Sequence, residues 1–115
     1  MSNADLSFLP ITELSPGIAS GDVKSTELLE ACIDRIETDD SRINAFITRT
    51  FDFARGRAAS LEEEARKGDV RSPLHGIPVA IKDLFDLDGF PMTAGSRILK
   101  DNVSTGTAES VRRLI

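Results

Sequence analysis

Residues 77–82 read Ile-Pro-Val-Ala-Ile-Lys, and no other stretch of the chain constrains the fold as tightly. Ile77, Val79 and Ile81 alternate with Pro78, Ala80 and Lys82. That is a period of two, the spacing of a strand with one large-aliphatic face and one face of smaller residues. Pro73 and Gly76 are turn formers ahead of it, and Pro78 stands at its start, where a missing N–H does least harm. The spacing predicts a strand over 77–82 with Lys82 at its C-terminal end. Sites in α/β sheets collect at such ends, yet by pattern alone a lysine there is a snorkelling surface residue.

Helical periods flank this strand. Over 25–39, Leu28, Leu29, Cys32, Ile33 and Ile36 make one apolar stripe, with Glu27 in the first turn. Cys32 lies inside the stripe and reads as a core thiol, not a reactive one. Over 51–68, Phe53 or Ala54, Ala58, Leu61 and Ala65 repeat at helical spacing, and Gly68 fits a C-terminal cap. Between them Phe46, Thr48 and Thr50 alternate with Ala45, Ile47 and Arg49, which predicts a short extended strand over 45–50. Residues 1–7 are polar and expected to be loose at their start. Pro10 and Pro16 limit the segment 8–20 to one or two short helical turns. A last helix is expected after Thr105 or Thr107, either of which can cap it.

Composition removes several function classes. The chain of 115 residues carries 19 acidic and 14 basic side chains, so no basic stripe exists to neutralise phosphates and nucleic acid is not an expected partner. Arg55, Arg57, Arg66, Lys67 and Arg71 are interleaved with Glu62, Glu63, Glu64 and Asp69, a solvated helical face. One cysteine excludes an internal disulfide and fits a reducing, cytoplasmic setting. No run approaches the length of a membrane span. A metal site has poor support from a single histidine and a distant cysteine. Asp83, Asp86 and Asp88 imitate a calcium loop only loosely, since the glycine and distal glutamate fall out of register. No cofactor is expected.

The string Leu74-His75-Gly76-Ile77-Pro78-Val79-Ala80-Ile81-Lys82-Asp83, followed by Asp86 and then by residues 88–96 (Asp-Gly-Phe-Pro-Met-Thr-Ala-Gly-Ser), resembles the N-terminal signature of the amidase signature family. The resemblance is dense at 74–96 and thinner at 11–61. It implies an enzyme that hydrolyses carboxamides through a nucleophilic serine, a second serine on a cis peptide and a lysine. Lys82 is then the general base, and Asp83 is a candidate for holding the turn that follows. Adjacent residues of a strand face opposite sides, so Asp83 is not expected to pair directly with Lys82. His75, the single histidine, is expected to serve its turn and not the chemistry. Ser96 and Ser104 match neither family serine by position and receive no role.

The resemblance also sets the expected architecture: α/β, with helices packed on the edge of a mixed sheet that this chain leaves incomplete. Residues 1–115 would be the N-terminal part of one amidase domain, stopping before the glycine- and serine-rich segment that carries both serines. Such a piece is expected to be inactive alone, with a small carboxamide as substrate of the complete enzyme. Exposed apolar faces would favour self-association or pairing with the rest of the domain. A narrower implication is the A subunit of tRNA-dependent amidotransferases, which hydrolyses glutamine amide. The alternative outside enzymology is a binding or assembly module that keeps the start of the fold without its chemistry.

Overall fold

The computed structural model describes residues 6–115; the expected loose start of the chain falls largely outside them. Among the described residues the helices follow in the order α1 (Ile11–Ser20), α2 (Ser25–Ile43), α3 (Phe51–Arg66) and α4 (Glu109–Arg112). The chain divides into two compact units. The first runs up to Ala45 and resumes over Thr50–Pro78, and the second comprises Phe46–Arg49 and Val79–Ile115.

The first unit is built on α2. Its apolar stripe buries Leu28, Leu29, Ala31 and Ile33, with Cys32 partly buried among them. One side meets Leu6, Leu14 and Ile18, with Leu9, Val23, Ala65 and Ile77 against the same cluster. The other side meets Ala58 of α3, flanked by Phe51 and Ala54. The small alanines of α3 pack against helix α2 and not against a sheet, as their size was expected to allow. Each fully buried Leu or Ile contributes about 1.5–3 kcal/mol relative to exposure. Glu62 of α3 also caps α2: its Oε2 accepts the Thr26 N–H at 3.1 Å and the Thr26 hydroxyl at 2.6 Å. A carboxylate there satisfies an orphan donor and suits the positive helix end.

Three boundaries differ from expectation. Pro16 lies inside one continuous helix, α1. It forfeits only the bond to the Thr12 carbonyl, and the buried Leu14 and Ile18 on either side hold the turn together. Helix α2 continues four residues beyond Asp39. The Asp40 carboxylate accepts the Ala45 N–H at 2.7 Å, and Asn44 takes the left-handed conformation at φ 54°, so the stop is made later by a side chain. Helix α4 has neither threonine as its cap; Thr107 Oγ1 instead accepts the Asp88 N–H at 3.1 Å.

The expected strands are not formed. Among the described residues the one β-type pairing is an isolated antiparallel bridge between Pro91 and Val103. Segments 45–50 and 77–82 carry the period of two without a ladder. Period two reports which faces a segment can show; a strand also needs a neighbour supplying alternate N–H and C=O groups. Neither segment has one among the described residues, and Pro78 brings no donor of its own. The mixed sheet of the α/β expectation is therefore absent from the described residues, which are helical with long ordered turns.

Candidate functional site

Lys82 lies in the second unit, at the end of the extended run, and its side chain is exposed. Its carbonyl accepts the N–H groups of Leu84 at 2.7 Å and Phe85 at 3.0 Å, which turns the chain sharply just after it. The wall expected from Ala80 and Ile81 is thin: Ala80 is exposed and Ile81 half-buried.

Asp83 faces a different partner. Its Oδ1 accepts the Thr93 N–H at 2.9 Å, and its Oδ2 accepts the Thr93 hydroxyl and, at 3.4 Å, the Gly95 N–H. These bonds, the Thr93 hydroxyl first, hold the Asp83 carboxyl below the usual aspartate range. Thr93 is itself buried. The sequence flagged it only as part of a T-x-G-S string. An aspartate ten residues ahead of a threonine that opens an Ala-Gly turn was the available signal.

The other acidic residues of the second unit are divided among separate roles. Asp86 accepts the hydroxyl of the buried Ser104 at 2.7 Å, and its carbonyl accepts the Ala108 N–H at the foot of α4. Among the described residues no three acidic, His or Cys side chains gather into a possible metal site. Ser104 thus donates its hydroxyl hydrogen bond to a carboxylate. Ser96 Oγ accepts the Ile98 N–H at 3.2 Å. An open groove lined by Asp86, Met92, Asn102, Ser104 and Thr107 lies in the same unit, and Lys82 is not among its lining residues.

His75 belongs to the first unit and is buried. Its Nδ1 accepts the Arg71 N–H at 3.3 Å, so the proton sits on Nε2, which donates to the Leu61 carbonyl at 2.8 Å. Nδ1 thus braces the loop at Arg71, and Nε2 ties the turn to α3. Cys32 is half-buried, and desolvation pushes its thiol up, against the weaker pull of Arg35.

Residues 27–115 match the family model described as Amidase. The chain belongs to the amidase family. Its amidase relatives are markedly longer. It is 42% identical over 110 residues to the A subunit of a glutamyl-tRNA(Gln) amidotransferase from Anaeromyxobacter dehalogenans, covering 96% of this chain and 22% of that protein. It is 36% identical over 114 residues to an acylamidase of Rhodococcus erythropolis, covering 99% of this chain and 24% of the relative. A solved structure described as a vestigial protein complex, bearing on the origins of an s-triazine catabolic enzyme, superposes with a TM-score of 0.87 at 36% identity. That match covers 92% of this chain and 23% of the solved one. The chain thus spans under a quarter of the length of these relatives.

Proposed function

We propose that this chain carries the lysine of a serine amidase, with Lys82 as general base in a Ser–cis-Ser–Lys relay that hydrolyses linear carboxamides. The observation that carries the reading is the family match over 27–115, which includes the string ending in Lys82-Asp83. A serine hydroxyl attacks an amide only as a base takes its proton. The lysine does this as the free amine and hands the proton to the departing nitrogen as the C–N bond breaks. Water then cleaves the acyl-enzyme by the same route in reverse. The two serines and the backbone donors of the oxyanion hole would come from a glycine- and serine-rich segment outside this chain. The same segment would cover the exposed Lys82.

The relatives support a second reading within the family. Several are A subunits of glutamyl-tRNA(Gln) amidotransferase, so glutamine amide is a candidate substrate beside simple carboxamides. Ammonia release from glutamine against a panel of short carboxamides separates the two. The non-catalytic alternative, an assembly module, draws on the solved relative's place in a protein complex. In each reading the working location is the cytoplasm, and the exposed Leu84, Phe85, Ile98 and Val103 of the second unit seek a protein partner.

The test is Lys82→Ala in a polypeptide that joins residues 1–115 to the remainder of an amidase domain. Turnover should fall by at least about a thousandfold with the fold unchanged by circular dichroism. Near-normal turnover would remove Lys82 from the mechanism.

A further inference from the structure

Asp83 holds more bonds than a surface carboxylate needs. Besides the three made by its side chain, its carbonyl accepts the Ala94 N–H at 2.9 Å. All four converge on Thr93, Ala94 and Gly95. The turn they grip closes on itself, Ser96 N–H donating to the Thr93 carbonyl at 2.8 Å. Both central residues are left-handed, Ala94 at φ 49° and Gly95 at φ 65°. That is the mirror-image turn for which Asn-Gly or Gly-Gly is the ordinary choice. An alanine enters this region against its Cβ sterics and stays only where its surroundings hold it.

We propose that Asp83 is a positioning residue for the Lys82 amine, locking the Thr93–Ser96 turn onto the Lys82-Asp83 dipeptide and keeping its own carboxylate away from that amine. The proposal rests on the reading of Lys82 as the base. Two consequences of the geometry carry it. First, the Lys82 side chain is long and exposed, so its anchor is the backbone. That anchor is fixed on its C-terminal side twice, by the 82–85 turn and by the Asp83 clamp. Second, a free carboxylate next in sequence to the base would favour the ammonium form and silence it. The oxygens of Asp83 are instead occupied by Thr93 and Gly95. The T-x-G-S string thereby gains a purpose, supplying the donors that hold the neighbouring acid aside.

The experiment uses an amidase polypeptide carrying residues 1–115, active on propanamide, with Lys82→Ala as the reference. Thr93→Val removes the hydroxyl and loosens the carboxylate. It should lower kcat about tenfold with little change in KM, and shift the midpoint of the rising, acidic limb of the kcat profile to higher pH. Asp83→Asn should also lower kcat, without that alkaline shift, because no charge is left to stabilise the ammonium. Thr93→Ser, which keeps the hydroxyl, should restore the native profile. A merely structural role would reduce the folded fraction and leave kcat per folded molecule and the profile unmoved; that result overturns the proposal. Native kcat in both Thr93→Val and Asp83→Asn, with Lys82→Ala inactive, also overturns it and spares the base. Activity in Lys82→Ala would instead remove the base reading on which the proposal stands.

Discussion

His75 and Gly76 are neighbours whose jobs were only half visible in the sequence. A turn role for His75 could be read from its company, but its two partners lie on Arg71 and, through space, on Leu61. His75→Ala leaves a buried carbonyl and an N–H unsatisfied beside a cavity. It should cost about 2–4 kcal/mol of stability, read as a lower urea midpoint. In an active amidase polypeptide its kcat should stay within a few-fold of native, since a lysine relay has no use for imidazole. A loss as large as that of Lys82→Ala would contradict this. Gly76 is left-handed at φ 73°, and a Cβ there would lie 2.0 Å from Ser25 Oγ. Gly76→Ala should therefore cost at least about 3 kcal/mol, combining backbone strain of about 1–2 kcal/mol with the clash. Ser25→Ala should be near neutral alone, because that buried hydroxyl has no hydrogen-bond partner. In the Gly76→Ala background it should recover the clash and leave the strain. Additive losses in the double variant would refute the contact.

Elements show most clearly what a single chain's pattern can and cannot declare. The stripe of α2 and the Gly68 stop of α3 were legible because both are local. Gly68 at φ 87° forms the stop as Asp69 N–H reaches Glu64 and Gly68 N–H reaches Ala65. The strands were misread because alternation is local and pairing is not. The true end of α2 was missed because Asp40 acts there as a side-chain cap across a turn. The Asp83 turn makes an element-scale prediction about pH. Its carboxyl is held low in the folded chain, chiefly by the Thr93 hydroxyl. The stability it gives is complete above the ordinary aspartate value of about 3.9 and lost as pH falls through the lower folded value. Hydrogen exchange at Ala94 and Gly95 should accelerate on acidification below about pH 4. In Asp83→Asn the same amides should exchange fast at every pH. Other carboxylates titrate nearby, Glu63 among them, held down to about 2 first by Arg66 and then by Lys67. The Asn variant isolates the Asp83 contribution from theirs.

For the molecule as a whole, the family was legible in one motif, whereas the surroundings of Lys82 were not. Lys82 is exposed in this chain, and the serines and oxyanion donors proposed above lie outside it. The 115-residue chain should accordingly show no amide hydrolysis above buffer by ammonia release. Turnover that vanishes on both Lys82→Ala and Ser96→Ala would overturn that expectation. Ile98 is 93% exposed and Leu84 56%, so sedimentation should show association that rises with protein concentration. A strictly monomeric chain at high concentration would count against those side chains as a docking surface.

The second unit takes four of its residues, Phe46–Arg49, from between two stretches of the first. On the ribosome those four emerge before any of Val79–Ile115, the residues with which they are grouped. At ordinary translation speeds of about 5–20 residues per second, the intervening thirty or so residues impose a wait of about 2–6 s. During that interval α2 and α3 can already pair. The short link between them is then an early-made socket for a late-arriving segment, and no single cut of the chain would release the second unit whole.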